Sequence, residues 1–399
     1  MNETKYKHTE LGPIPEHWEM HKLGHFLILF SEKGFPDAQL LSVTREQGVI
    51  LRERDNKEEN HNFVPDDLSG YKHLRKGDFV INKMKSWQGS YGVSNYEGIV
   101  SPAYFTCKLK GVNPDFFSRA IRCRTYSAYF MKFSKGIRVD QWDLDPIALK
   151  YIPFALPPLD EQEAMVAYLD EQTGKIDAAI EREQKMIDLL NERKQIIIQQ
   201  AVTKGLNPNV PMKDSGIDWI GEIPQSWKSI RLKYCMKIRN GQDYKHCVAD
   251  FGYPVYGSGG QFAYASQYMY DGEVVFFGRK GTIDKPLYYK GKFWAVDTMF
   301  YAIPKKNIIG RFLYYAGRTI PFKYYSTSTA LPSMTQTDLG NNPIALPPIE
   351  EQQNIVSYLD GKMGNIDRAI EAREKLISLL RERKQIIINE VVTGKIKVS

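Results

Sequence analysis

Apolar residues recur at steps of three and four residues along two stretches of the chain, which predicts two long amphipathic helices. The first series is Ile180, Ile187, Leu190, Ile197 and Ala201, and the second is Ile370, Ile377, Leu380, Ile387 and Val391. This spacing is typical of a coiled-coil seam, so these residues are predicted to pair the helices. Because isolated helices of this length are marginal in water, each needs a partner, and the other series is the nearest candidate. The seam alone does not decide between parallel and antiparallel pairing.

The two series belong to an internal repeat. Residues 156–203 match residues 346–393 at 28 of 48 positions without a gap, at a constant offset of 190. Each copy opens with Pro-Pro, an acidic residue and Glu-Gln, which predicts helix starts near Leu159 and Ile349. Thr173-Gly174 and Met363-Gly364 predict an interruption, after which a second helix of roughly 45 Å runs to about residue 203 or 393.

Two seam positions are polar in both copies: Glu183 matches Arg373, and Lys194 matches Lys384. Polar seam residues fix register and partner at some cost in stability. The alternative interpretation is that both stretches are ordinary amphipathic core helices of one large domain.

A weaker repeat marks the start of each half, where Ile14-Pro15 with Trp18 returns as Ile223-Pro224 with Trp227. Between each such arm and its helical block lie β-rich runs separated by Gly, Pro, Asn and Asp, followed by a helical stretch around 116–130 or 309–316. Strand-like runs at 77–81 and 100–105 correspond in layout to 272–277 and 294–300. The inserts are therefore interpreted as two diverged copies of one mixed α/β fold.

The predicted organisation is a mixed α/β (α+β) chain with an internal repeat. Residues 1–155 form a first globular domain with its arm, and 156–205 form the first helical block. Residues 206–345 form a linker, an arm and a second globular domain, and 346–399 form the second helical block. The linker contains Lys204-Gly205-Leu206-Asn207-Pro208, which is rich in turn-forming residues.

Charge is distributed unevenly over this organisation. Residues 18–155 carry 20 Lys and Arg against 16 acidic residues, and 227–345 carry 16 against 7, whereas the remainder is acidic. Basic inserts are what a pair of polyanion-binding domains requires, although a solvated basic surface explains the charge equally well.

No apolar stretch is long enough for a membrane or export signal, so a cytoplasmic protein is expected. The four cysteines are dispersed, which is typical of reduced, mostly buried thiols and predicts no zinc site.

No catalytic signature accompanies these features. The sequence contains no P-loop, HExxH, GxSxG or paired Cys/His spacing, and the glycine cluster Gly257-Ser258-Gly259-Gly260 is interpreted as a turn. The glycine-rich cofactor loop and the Asn/Asp-Pro-Pro-aromatic motif of a nucleotide methyltransferase are also missing. These observations favour binding over catalysis, with no catalytic residue and no metal site.

The insert loops carry side chains suited to nucleic-acid recognition, because Lys and Arg bind phosphates while Arg, Gln and hydroxyl groups also reach base edges. Two loops follow the 77–81 and 272–277 runs, and two polar runs precede the helical blocks. The predicted DNA-binding residues are Lys83, Lys85, Gln88, Ser90, Tyr91, Lys135, Arg138, Gln141, Arg279, Lys280, Thr282, Tyr324, Tyr325, Ser326 and Ser328.

The paired Leu-Pro-Pro-Leu/Ile-Asp/Glu-Glu-Gln blocks, the Tyr-Leu-Asp and Ile-Asp-x-Ala-Ile-Glu steps and the Ile-Pro-x-x-Trp arms together resemble the specificity subunit of type I restriction-modification systems. The resemblance covers essentially the whole chain. It implies two target-recognition domains joined by two long antiparallel helices with a pseudo-two-fold repeat. It also implies a bacterial or archaeal protein that reads double-stranded DNA without catalysing a reaction.

The same resemblance implies the partners. Two modification subunits would methylate adenine with S-adenosylmethionine, flipping the base out of the stack, and restriction subunits would translocate and cut DNA with ATP and Mg. The chain itself would need no cofactor. Two further hypotheses remain: a DNA-modifying enzyme with an unrecognised active site, and an interaction scaffold whose basic inserts bind proteins.

Overall fold

The structure, a computed structural model, describes residues 5–53, 64–136, 142–322 and 332–398. The chain forms two compact units. Unit 1 comprises residues 1–182 and 375–399, and unit 2 comprises residues 183–374. The division cuts each long helix near its middle, so each helical block contributes to both units.

Unit 1 contains the first insert. Its strands are β1 (Tyr6–Thr9), β2 (Gly12–Pro15), β3 (Glu19–Lys22), β4 (Leu27–Phe30), β5 (Leu41–Thr44), β6 (Gly48–Leu51), β7 (Lys72–Leu74), β8 (Phe79–Ile81), β9 (Tyr91–Val93), β10 (Gly98–Val100), β11 (Phe105–Leu109), β12 (Ser134–Lys135), β13 (Asp143–Leu144) and β14 (Pro153–Leu156). Its helices are α1 (Pro114–Ile121), α2 (Arg124–Lys132), α3 (Pro146–Lys150) and the first half of α4 (Leu159–Lys204). The Asn113 and Asp145 side chains cap α1 and α3, each with proline at the first helical position.

Unit 2 contains the second insert. Its strands are β15 (Met212–Asp214), β16 (Glu222–Pro224), β17 (Lys228–Arg231), β18 (Met236–Asn240), β19 (Val248–Ala249), β20 (Tyr253–Gly257), β21 (Gly260–Ala265), β22 (Tyr270–Gly278), β23 (Leu287–Ala295), β24 (Met299–Pro304) and β25 (Pro343–Leu346). Its helices are α5 (Leu232–Cys235), α6 (Gly310–Gly317), α7 (Gln336–Asn341) and the first half of α8 (Ile349–Val392).

The central strands of the two inserts have the same order. They are β4-β11-β8-β9 in unit 1 and β18-β24-β22-β23 in unit 2, and every neighbouring pair is antiparallel. The β5–β6 hairpin has its counterpart in β20–β21, which extends the second sheet through a parallel contact between β20 and β23. The prediction that both inserts are copies of one mixed α/β fold is confirmed.

Three of the predicted runs are divided by turns. The strand-like run 100–105 spans the end of β10 and the start of β11, and the run 294–300 spans the end of β23 and the start of β24. The helical stretch 116–130 is split into α1 and α2 at residues 122 and 123. Each turn is only two to four residues long and keeps at least one apolar residue, so hydropathy alone does not reveal the boundaries.

The arm tryptophans anchor each insert to its own helical block. Trp18 and Trp227 are fully buried, as the sequence predicts for an anchor. The Trp18 indole nitrogen donates to Glu161 at 3.0 Å, and that of Trp227 donates to Glu351 at 2.7 Å. The repeated glutamate therefore satisfies a buried donor that would otherwise cost free energy.

The repeated glutamine, Gln162 or Gln352, provides a second connection between each insert and its helical block. In unit 1 the Gln162 amide oxygen accepts from the Asn113 backbone nitrogen at 2.9 Å, and its amide nitrogen donates to the Pro157 carbonyl at 2.8 Å. In unit 2 Gln352 forms the equivalent bonds with Ile309 and Pro347, both at 3.0 Å. The Leu-Pro-Pro opening thus begins a helix and also fixes the insert to it.

The predicted interruption of each block is wrong, because α4 and α8 are continuous over 46 and 44 residues. The Thr173 hydroxyl donates to the Leu169 carbonyl one turn earlier, and a β-carbon at Gly174 or Gly364 would meet no neighbouring atom within 4 Å. A glycine in a helix interior costs about 1 kcal/mol relative to alanine. The helices tolerate that cost because both flanking turns are packed.

Burial follows the predicted seam: every third or fourth residue from Ile176 to Ala201 and from Ile366 to Val391 is less exposed than its helical neighbours. In unit 2, Glu183 pairs with Arg373 and Lys194 pairs with Asp367, so the partner number falls as the residue number rises. In unit 1, Lys384 pairs with Asp177 at 2.7 Å. The helices are therefore antiparallel, and their polar seam residues form ion pairs.

Candidate nucleic-acid interface

The first predicted loop joins β8 to β9 and contains the 3-10 turn Ser86–Gln88. Gly89 adopts φ = +96°, a conformation that closes this turn and favours glycine. Lys83 forms an ion pair with Asp143 at 3.1 Å, whereas Lys85 is exposed and Gln88 is half-buried. The loop therefore presents an exposed lysine beside one that is paired.

Two residues predicted for this surface lie in the core instead. Ser90 and Tyr91 are 3% and 1% exposed. The Tyr91 ring stacks on Phe130 with centroids 4.0 Å apart, and burial raises the pKa of its hydroxyl. Tyr91 opens a strand in which every side chain is buried, so neither residue belongs to the candidate surface.

The polar run that follows α2 lies against this loop. The Ser86 and Ser134 hydroxyl oxygens are 3.3 Å apart, and the Trp87 and Trp142 ring centroids are 5.3 Å apart. Lys135 is exposed on β12. The structure thus brings together two segments that are about fifty residues apart in the sequence. The predicted contacts Arg138 and Gln141 lie outside the described residues.

A third segment, absent from the sequence prediction, completes the first site. The tip of the β5–β6 hairpin consists of the exposed residues Arg45, Glu46 and Gln47. A β-carbon on Gly89 would lie 3.4 Å from the Arg45 carbonyl oxygen. The tip reaches the loop only through sheet topology, and no local sequence signal indicates this proximity.

The second site is built in the same way around the loop that joins β22 to β23. The Gly281 backbone nitrogen donates to Pro332 at 3.0 Å, and Met334 donates to the Arg279 carbonyl at 3.0 Å. Lys280 is exposed and forms an isolated bridge with Ser333, while Arg279 and Thr282 are half-buried. The end of the second polar run and the residue that follows it therefore lie beside the second loop. The predicted contacts Tyr324, Tyr325, Ser326 and Ser328 lie outside the described residues.

The glycine cluster 257–260 is the tip of the β20–β21 hairpin, which confirms the predicted turn. This tip also lies at the second site, because a β-carbon on Gly281 would be 3.1 Å from the Ser258 hydroxyl oxygen. Ser258 and Arg45 thus occupy corresponding places. In each unit the candidate interface combines three segments. They are the β8–β9 or β22–β23 loop, described residues at one end of the polar run, and the tip of the β5–β6 or β20–β21 hairpin.

A basic groove lies in unit 2 beside α7. Its volume is about 750 Å³, and its lining includes Lys233, Lys237 and Lys305 but no acidic residue. Lys233 donates to the Asn341 side chain at 2.9 Å and Lys305 donates to the Lys233 carbonyl at 2.9 Å. The groove also includes Gln336, two residues after Met334, so it begins close to the second site. The sequence alone predicts the net positive charge of this insert but not that these lysines line a groove.

The four cysteines take no part in either site. All are free and buried, as expected from their spacing. Burial raises the pKa of Cys107 to about 12 and that of Cys235 to about 11. Within the described ranges, no group of three His, Cys, Asp or Glu is arranged to hold a metal ion, and no helix is long and apolar enough to cross a membrane.

Comparisons with known proteins agree with this architecture of two similar inserts on paired helices. Residues 224–380 match the model of the type I restriction modification DNA specificity domain. The putative type I restriction enzyme MjaX specificity subunit of Methanocaldococcus jannaschii is 26% identical over 99% of this chain and 97% of its own length. The MjaVIII specificity subunit of the same organism is 24% identical over 96% of this chain and 94% of its own length.

A solved structure shows the same fold. It is described as the structural basis underlying complex assembly and conformational transition of the type I R-M system. One of its chains aligns with 96% of this chain and 99% of its own length, at a TM-score of 0.69 and 16% identity. Over nearly its whole length the chain is thus similar in sequence to specificity subunits of type I restriction enzymes, and residues 224–380 match the specificity domain of that family.

Proposed function

We propose that this chain reads a bipartite, asymmetric DNA target with one insert for each half-site. The observation that carries the proposal is the matched assembly of loop, polar flank and hairpin tip on the same four-strand frame in both units. The frames agree, but the exposed side chains differ: Lys85 and Arg45 stand in one unit where Lys280 and Ser258 stand in the other. Different side chains on equal frames would select different base sequences.

The long helices would set the distance between the half-sites. Half-sites read on one face of B-DNA lie about 34 to 36 Å apart or a multiple of it. At about 1.5 Å per residue, the 46 residues of α4 extend roughly 69 Å, which is longer than one such spacing. The base pairs between the half-sites would remain unread.

Phosphate contacts would come from the lysines around each site. Lys85 and Lys280 are exposed beside the loops, and Lys233, Lys237 and Lys305 line the groove that begins next to the second site. Cationic side chains that release counterions from DNA supply affinity without sequence preference. The groove would therefore hold the backbone that flanks the second half-site.

Two modification subunits would dock on the helices. Each helix exposes an apolar stripe beside its seam, and the stripes occupy equivalent repeat positions. The members are Met186, Leu189 and Ile196 on α4 and Leu376, Leu379 and Ile386 on α8, each between 40% and 58% exposed. Matching stripes on two copies of one sequence block favour two copies of one partner.

The chain would contribute recognition and positioning, and its partners would contribute the chemistry. In this proposal the modification subunits hold S-adenosylmethionine and methylate an adenine that is flipped out of the stack. Restriction subunits use ATP and Mg to translocate and cleave DNA. The chain itself binds no cofactor and catalyses no reaction.

Methylome sequencing tests the proposal. A host that expresses this chain with its modification subunits should show a bipartite adenine motif, and the same host without the chain should not. An unchanged methylation pattern would favour the scaffold hypothesis. Methylation or cleavage by the purified chain alone would favour the enzyme hypothesis.

An insert exchange tests the assignment of one insert to one half-site. Replacing residues 18–155 by the corresponding insert of a relative should change one half of the motif and leave the other half intact. If both halves changed together, the two-reader model would be wrong. The exchange of residues 227–345 provides the reciprocal control.

A further inference from the structure

One arginine of unit 1 joins two of the three segments that form the first site. Arg122 is the C-cap residue of α1. Its Nη1 donates to the Tyr91 carbonyl at 2.5 Å and to the Gly89 carbonyl at 3.3 Å. Its Nη2 donates to the carbonyls of Arg45 and Glu46, both at 2.8 Å. A single guanidinium therefore bonds the loop after β8 and the tip of the β5–β6 hairpin at the same time.

The environment of Arg122 is unusual for an arginine. Within the described part of the chain its hydrogen-bond acceptors are backbone carbonyls, and it forms no ion pair there. Burial lowers the pKa of its guanidinium, which nevertheless stays charged. Charge-assisted hydrogen bonds to four carbonyls compensate for the lost hydration, and they require the two segments to stay in one relative position.

The backbone approaches Arg122 closely on the strand side. A β-carbon on Gly48 would lie 3.3 Å from its Nη1, and a β-carbon on Gly92 would lie 3.3 Å from the Gly48 α-carbon. The Arg122 guanidinium also lies 6.0 Å from the buried Tyr91 ring. Glycines at positions 48 and 92 thus allow the strands to approach the guanidinium closely.

We propose that Arg122 is a positioning residue for recognition of the first half-site. It acts by holding the Arg45–Gln47 tip and the Lys85–Gly89 turn in the geometry that contacts DNA. The inference rests on the proposed function, because it assumes that this surface reads bases. Recognition sites must be held to within a fraction of an ångström, so a loosened tip would tolerate wrong bases as well as bind the right ones less tightly.

The second insert supplies a matched comparison. Arg318 is the C-cap residue of α6, the helix that corresponds to α1. It donates to the Tyr314 hydroxyl at 3.5 Å, a bond within its own helix end. The second loop is instead held by the backbone bonds of Gly281 to Pro332 and of Met334 to Arg279. Among the residues that the structure describes, the arginine at the helix end bonds the recognition loop in the first insert and not in the second.

The test compares Arg122→Lys, Arg122→Met and Arg318→Met in the complete complex with modification subunits. The substrates are plasmid libraries in which either half-site is randomised, and the readouts are methylation at each sequence and the thermal unfolding midpoint. Discrimination at the first half-site should fall about tenfold in Arg122→Met, the scale of one lost base contact. Arg122→Lys should restore only part of this discrimination. Lysine keeps the positive charge, but its single amino group cannot span four carbonyls.

The outcomes separate the inference from the proposed function. Relaxed sequence preference at the first half-site alone, with Arg318→Met unchanged, supports the positioning role. An equal loss at both half-sites together with a lower unfolding midpoint overturns it in favour of general stabilisation, and unchanged preference in both Arg122 variants also overturns it. If the unmodified chain gave no bipartite methylation, the proposed function itself would fail.

Discussion

Glu183 and Arg373 occupy the same position of the two repeat copies, 190 residues apart, and their side chains form an ion pair at 2.5 Å. An antiparallel pair of identical helices brings one position of the repeat opposite itself. Two glutamates or two arginines would repel each other there. Divergence of this position to one acid and one base converts the repulsion into attraction.

Reversing one charge of this pair should destabilise the helix pair. Glu183→Arg places two half-buried arginines together and should lower the free energy of unfolding by about 1 to 3 kcal/mol. Arg373→Glu should have a similar effect, and the double exchange should recover most of the loss. Denaturant unfolding of the three variants measures the coupling. Additive losses in the double variant would show that the pair contributes nothing specific.

The lysines of the first loop should contribute unequally to DNA affinity. Lys85→Ala should reduce the slope of log K against log salt by about 1, because an exposed lysine releases one counterion. Lys83→Ala should change it less, since Lys83 is paired with Asp143. Lys76, exposed at the opposite end of β8, is the control. Equal slopes for Lys76→Ala and Lys85→Ala would remove the loop from the interface.

The apolar stripes should determine partner stoichiometry. Leu189→Glu should remove one modification subunit from the complex, Leu379→Glu should remove the other, and the double variant should bind neither. Native mass spectrometry counts the bound copies directly. Gln195→Glu and Gln385→Glu, which lie on the other side of the seam, serve as matched controls. Retention of two copies by the double variant would place the partners elsewhere.

The cysteines should resist alkylation until the protein unfolds. Their ordinary pKa is near 9.0, and burial raises it to about 11 for Cys235 and about 12 for Cys107. The thiolate that reacts is therefore scarce at pH 8 in the folded protein. Since the folded pKa values are the higher ones, stability that is present below pH 9 is lost as the pH rises towards them. Mass spectrometry should find slow native labelling and four labels in denaturant; rapid native labelling would contradict the burial.

The helical blocks could be predicted in detail because duplication and a 3.5-residue period are both visible in the sequence. Even the polar seam positions Glu183 and Lys194 were identifiable, although their partners were not. The predicted break at Gly174 failed because the cost of one exposed helical glycine is small against the packing of its neighbours.

The candidate sites were only partly predictable. Loops appear as polar interruptions between strands, so Lys85 and Lys280 could be located. Tyr91 is buried because both faces of its short strand are covered, and that covering arises from packing between segments that are distant in the sequence. The contribution of the Arg45 and Ser258 hairpin tips arises from strand pairing over long sequence separations, which no local pattern reveals.

Unit 1 is built from both ends of the described chain, whereas unit 2 is one continuous segment. Val391 and Val392 belong to the same apolar core as Trp18 and Met165. During synthesis, residues 183–374 are all made before those two valines, so every residue of unit 2 has been added while unit 1 still lacks part of its core. The insert that is translated first therefore belongs to the unit that is completed last.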